Sequence, residues 1–290
     1  CTIFVQSNQL AQIIREYIYN TNGLFQDNIF IGDLITGILV ACLVGTVIFG
    51  GIKRIAMVAS KMVPIMVGVY LIAAIIIIVK NIFIIPDIFL LIIHDAFSGN
   101  AVAGGAIGSM IIIGVRRGLF SNEAGTGTET MAHGAAKTKE PVREGLVAML
   151  GPFIDTIIVC SITAIIILIS GVYDQDLEGV SMTVSAFESE LGSIGKLVIM
   201  VAALTFSLST MFGYSYYGRK CTSYLFGTKW KPVYNYFYVS MIIVASTIKL
   251  DIAINFMDSA FALMVIPTII STLLLAPKVL EESRRYFQGL

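Results

Sequence analysis

The chain reads as an all-α membrane protein that crosses the bilayer several times, and three observations lead there. Only 13% of its 290 residues are charged, against roughly 25% in an average soluble domain, and its mean hydropathy is +0.87. The apolar residues gather into runs long enough to traverse a hydrocarbon core ~30 Å thick, which takes ~20 residues of helix. Lys and Arg fall unevenly between alternate connections, as they do when one side is cytoplasmic.

Taken in order, Thr2–Ile14 has a helical pattern but is short and rich in amides (Gln6, Asn8, Gln9, Gln12), which suits the end of a longer helix. Seven spans are expected after it, over 30–49, 62–79, 99–115, 146–170, 197–217, 233–248 and 252–276, the third and sixth being short. Residues 85–97, opened by Pro86 and closed by His94 and Asp95, are too few to cross and suit a re-entrant or interfacial helix.

With the first connection outside, the inner segments hold fifteen of the nineteen Lys and Arg, and the outer ones hold Arg15, Lys80, Lys196 and Lys249. Cytoplasmic loops carry the excess, so the start faces out, seven crossings follow, and the tail 278–290 is expected in the cytoplasm. Trp230, Tyr234, Tyr236 and Tyr238 at the inner end of the sixth span fit an interfacial aromatic belt. Acidic and basic residues balance at nineteen each, which excludes a basic field for nucleic acid. The cysteines, Cys1, Cys42, Cys160 and Cys221, are scattered without a CxxC pair or a nearby His cluster and read as small membrane-buried residues. No signal peptide pattern opens the chain, and a first residue of Cys fits a truncated start.

Polar groups inside a span are costly, so each is a functional candidate to weigh against a packing role. Asp155 lies about nine residues into the fourth span, ~14 Å deep, with Thr156 beside it. It reads equally as a cation or proton site and as a helix-packing carboxyl bonded to Ser or Thr. The fifth span carries Ser207, Ser209 and Thr210. Ser209 and Thr210 reach mid-membrane, where adjacent hydroxyls suit a hard cation such as Na⁺, the alternative being interhelical hydrogen bonding. Tyr214, four residues beyond Thr210, shares its helix face and would wall the site. In the third span Gly104-Gly105 and Gly108-Ser109 permit either an unwound, ligand-binding helix or close helix packing.

The stretch from Ser121 to Lys139 is too polar and glycine-rich for a passive loop. It contains no GxxxxGK[ST], and the chain shows no HExxH or GxSxG. His133 reads as a structural or interfacial residue, with no second His near it to make a metal pair. No catalytic constellation is visible, so the chain is not read as an enzyme.

This same region carries a resemblance. Arg117-Gly118-Leu119-Phe120-Ser121-Asn122-Glu123-Ala124-Gly125, then Ala132-His133, Ala135-Ala136-Lys137-Thr138 and Pro141-Val142-Arg143-Glu144-Gly145-Leu146, closely resemble the alanine or glycine:cation symporter family. Gly50-Gly51-Ile52-Lys53-Arg54 with Val63-Pro64, Phe153-Ile154-Asp155-Thr156, and Ser209-Thr210 through Ser215-Tyr216-Tyr217-Gly218 agree, so the resemblance covers essentially the whole chain. It implies a leucine-transporter-like inverted-repeat bundle, ten core helices in two repeats of five, with substrate and Na⁺ at the midplane between broken helices. By order, the seven spans become helices 4 to 10 and Thr2–Ile14 the end of helix 3. The chain is then one partial transporter domain over 1–290, expected to lack its first helices and to be inactive alone.

Residue by residue, the resemblance implies that Gln6, supported by Asn8, contacts the amino acid. It implies that Ser209 and Thr210 supply a Na⁺ site, and that Tyr214 stands in the pocket wall where relatives usually carry Trp. Gly104, Gly105 and Ser109 fall on the break of helix 6, and the run from Thr126 to Met131 departs from the usual family pattern. Asp155, with Thr156, matches the helix-7 Asp, as a Na⁺ ligand or a packing group. The implied activity is sodium-coupled symport of a small neutral amino acid, alanine or glycine, by alternating access in the plasma membrane. Na⁺ is the coupling ion, no other cofactor is implied, and no obligate protein partner is indicated. The rival reading is a cation or proton channel with Asp155 and Asp258 along its path.

Overall fold

The computed structural model describes residues 2–97 and 106–289, and of residues 106–110 only the backbone. Every regular element among the described residues is helical. In chain order these are α1 (Thr2–Ile14, ending in a π-helical turn, Arg15–Tyr19), α2 (Ile29–Ile48), α3 (Gly51–Lys80) and α4 (Ile85–Ala96). Next come α5 (Ala106–Asn122), the short α6 (Thr128–His133) and α7 (Pro141–Ser170). The last are α8 (Val180–Leu191), α9 (Ser193–Phe226), α10 (Lys231–Thr247) and α11 (Leu250–Gln288).

Five of these, α2, α3, α7, α9 and α11, are each long and apolar enough to cross a membrane. The short sixth expected span appears as α10, of 17 residues. The third expected span falls partly outside the described residues, and α5 carries its remainder. A polytopic membrane protein is what these helices build, since only helices and closed barrels satisfy their backbone groups within lipid.

The helices form two compact units, each discontinuous in sequence. The first takes residues 1–82 and 166–257, the second 83–165 and 258–290. In the first unit α1 is enclosed by α2, α9 and α10, with Leu10, Val44, Met211, Phe212 and Ile242 in the core between them. The amides that make α1 a poor lipid-facing helix are used here as links. Ser7 Oγ donates to the Ile242 carbonyl at 2.8 Å, and Asn8 Nδ2 donates to that of Ile248 at 2.5 Å. Gln9 accepts from the Val180 backbone N–H at 2.9 Å, and Gln12 donates to Glu16 and Ser181 at 2.9 and 3.1 Å. Buried polar groups are stable when paired in this way, and the Gln9–Val180 and Gln12–Ser181 links fasten α8 to α1. Close approach of α2 and α10 rests on Gly37, where an added Cβ would collide with Ser246 and lie 3.2 Å from the Ile243 backbone. At the α9–α10 corner, Trp230 is half exposed, its ring 6.3 Å from that of Phe226.

In the second unit α5 packs on the middle of α7, and Arg117 of α5 pairs with Asp258 of α11 at 3.2 Å. Pro152 interrupts α7, and the following Phe153–Cys160 runs as a π-helix. Proline removes a ladder donor and crowds the preceding turn, and π-segments inside α-helices gather at functional sites.

Candidate functional site

Among the described residues, each unit carries a polar constellation that includes expected site residues. In the first, Gln6 of α1 and Ser207 of α9 meet in an otherwise apolar core, Ser207 Oγ donating to Gln6 Oε1 at 3.1 Å. They are 8% and 4% exposed, so the pair is shielded from solvent and its remaining hydrogen-bonding capacity is available only to what enters there. Thr210 and Tyr214 follow Ser207 at helical spacings of three and seven and therefore lie on its face of α9. Tyr214 packs edge-on to Tyr217, with ring centroids 5.4 Å apart. Ser209 is turned to its own helix and donates to the Phe206 carbonyl at 2.9 Å. That use of the proton leaves both hydroxyl lone pairs free to face a cation. Asn8 faces α10 through its bond to Ile248.

The second constellation sits on the π-segment of α7. Ser121 Oγ, at the end of α5, donates to Asp155 Oδ2 at 2.6 Å, and Asn122 Nδ2 donates to Thr156 Oγ1 at 2.9 Å. Two consecutive residues of α5 thus engage two consecutive residues of α7. The wider π-turn presents Asp155 and Thr156 side by side, and Asp155 is the fifteenth of the thirty residues from Pro141 to Ser170, at mid-span. The Asp155 carboxylate and the Ser121 and Thr156 hydroxyls gathered here are hard-oxygen groups of the kind that suits a hard cation such as Na⁺. Among the described residues there is no group of three or more His, Cys, Asp or Glu placed to hold a metal ion.

Beyond Asn122 the chain makes an ordered turn. Its Oδ1 accepts from the Ala124 N–H at 2.9 Å. Thr126 Oγ1 donates to the Glu123 carbonyl at 2.7 Å, and Thr128 Oγ1 donates to the Glu123 carboxylate. Both threonines are buried. Gly127 adopts φ +86°, and a Cβ there would stand 2.8 Å from Thr268 Oγ1 of α11. Thr268 in turn donates to the Thr126 carbonyl at 3.2 Å, so the turn is docked on α11. Burial and the neighbouring Glu123 raise the pKa of Glu129 against the opposing pull of His133. His133 Nδ1 lies 2.7 Å from Glu144, joining α6 to α7 as a structural residue.

The structure therefore brings Gln6, Thr210 and Tyr214 to one unit with Ser207, and Asp155 and Thr156 to the other. Gly104 and Gly105 lie outside the described residues, as does the side chain of Ser109. Sequence reasoning left Ser207 out of the binding set and gave Ser121 and Asn122 no role. The signal for Ser207 was its spacing from Thr210 and Tyr214. The signal for the other two was their place at the polar end of an apolar helix.

A model of the sodium:alanine symporter family matches residues 1–290. The chain belongs to the sodium:alanine symporter family. Among its relatives, it is 39% identical over 286 residues to the sodium/alanine symporter AgcS of Methanococcus maripaludis, covering 97% of this chain and 60% of that protein. It is 34% identical over 270 residues to a Bacillus subtilis protein named "Probable sodium/glutamine symporter GlnT", covering 92% of this chain and 56% of that one. To the sodium/proton-dependent alanine carrier protein of Bacillus sp. strain PS3 it is 35% identical over 238 residues, 77% of this chain and 53% of the carrier. The chain thus spans between 53% and 60% of the length of these relatives. The family is one of membrane transporters, not enzymes.

Proposed function

We propose that this chain serves sodium-coupled symport of a small neutral amino acid, alanine or glycine, by alternating access. The observation that carries the reading is the family match over every residue of the chain. Gln6 and Ser207, with Thr210 and Tyr214 on the same face, are the polar groups we assign to the amino acid, with Asn8, Gly104, Gly105 and Ser109 completing that set. Ser209 and Thr210, and separately Asp155 and Thr156, are assigned to Na⁺. The pairing of Asp258 with Arg117 leaves that carboxylate poorly suited to a conduction path. In energetic terms, one elementary charge moved through 100 mV supplies about 2.3 kcal/mol, enough for a roughly fifty-fold substrate gradient. We place the C-terminal end of α11 in the cytoplasm of a plasma-membrane protein.

The test is uptake of labelled alanine and glycine by proteoliposomes holding the full-length protein that contains this chain, with an inward Na⁺ gradient or an equal K⁺ gradient. Uptake of either amino acid under Na⁺ alone is expected. Absence of uptake under every cation gradient, together with substrate-independent cation current, would replace the symporter by a channel.

A further inference from the structure

We propose that the α7–α11 end of the second unit holds an anionic phospholipid, its phosphate between Lys139 and Lys278 and its acyl chains along a groove between these helices. The groove has a volume of about 790 Å³. Its floor is apolar, with Leu146, Met149, Leu275 and Val279 all exposed to it. Lys139 and Lys278 stand on its rim, and among the described residues neither meets an acidic partner. Arg285, the remaining cation on the groove, is held by Glu140 at 3.0 Å and Glu282 at 2.9 Å. Three cations and the two carboxylates that Arg285 shares leave the groove a net charge of +1, carried on the side of Lys139 and Lys278.

Depth supplies the second argument. The apolar run of α11 ends at Ala276, just before Pro277-Lys278, and that of α7 begins at Leu146, seven residues after Lys139. The groove thus opens within the apolar runs at Leu146, Met149 and Leu275 and continues past them to Lys139 and Lys278, which suits an occupant that is apolar at one end and anionic at the other. A soluble phosphate would leave the floor bare, and a zwitterionic lipid would leave the lysines without a net counter-charge. Basic recesses between helices on the cytoplasmic side are suited to anionic headgroups, each Lys contributing about a fivefold preference.

Native mass spectrometry of the full-length protein, equilibrated in detergent with equal amounts of phosphatidylglycerol and phosphatidylcholine, tests this directly. The wild type is expected to retain phosphatidylglycerol in roughly twenty-five-fold excess, K139R/K278R to keep that excess, and K139Q/K278Q to bring the two lipids to parity. Parity in the wild type, or an excess that survives K139Q/K278Q, would overturn the site. Displacement of the lipid by millimolar glycerol phosphate would overturn it too, in favour of a soluble-phosphate site. Lipid retention is read without transport, so its failure leaves the symporter reading untouched.

Discussion

At the scale of single residues, Asp155 separates two roles of one carboxylate. Asparagine at this position still accepts the Ser121 hydrogen bond but carries no charge. D155N is therefore expected to keep the fold and to weaken the Na⁺ dependence of uptake on the order of tenfold, the loss of one charge-assisted contact. D155A leaves Ser121 without its partner and is expected to lower stability by about 1–3 kcal/mol as well. Thermal unfolding and sodium titration of uptake separate these effects, and a D155N variant with unchanged sodium dependence would make Asp155 a packing group. Glu129 gives a pH prediction. Burial and Glu123 disfavour its charged form, so the folded chain binds this proton more tightly than the unfolded one. The stabilisation is complete below the ordinary value of 4.5 and is lost as pH rises through the higher folded value. E129Q is expected to flatten that dependence, seen as a smaller change in Tm between acidic and neutral pH. Of the site residues, Thr210 was readable as a polar interruption of an apolar helix, and Gln6 only through the family resemblance. Their meeting through Ser207 was not, because the contact joins positions 201 residues apart and one-dimensional periodicity carries no information on pairing across helices.

At the scale of elements, the close contact of α2 with α10 rests on a missing side chain. G37A forces a methyl group against Ser246 and the backbone of α10. Overpacking of this kind costs about 1–3 kcal/mol, so a lowered Tm with the helical circular dichroism retained is expected. Hydropathy located the helices well but misjudged their ends. α1 has the expected bounds and α2 lies within a residue of them, whereas α3 begins at Gly51 rather than Met62, and α9 and α11 continue to Phe226 and Gln288. The reason is physical. An apolar run measures the thickness of hydrocarbon, while a helix continues for as long as its backbone ladder closes, through Lys53 and Arg54 or Arg284 and Arg285, into the headgroups and beyond.

At the scale of the whole molecule, the one-sided distribution of Lys and Arg makes a prediction about sidedness. A single cysteine at Gln288 in an otherwise cysteine-free protein should react with a membrane-impermeant maleimide only after cells are permeabilised. One at Asp174, between α7 and α8, should react in intact cells. The reverse pattern would invert the whole arrangement. All-helical, multi-pass architecture was legible in composition together with the length of the apolar runs. The division into two discontinuous units was not, since it depends on which distant segments pack together, such as α1 with α9 and α10, and span order is silent about that.

Trp230 is the only tryptophan in the 290 residues, and it stands half exposed at the corner joining α9 to α10. Indole emission from this chain therefore has a single origin. Its wavelength and its quenching by lipids brominated at successive acyl carbons would report the depth of that corner directly, an optical gauge of immersion already present in the natural sequence.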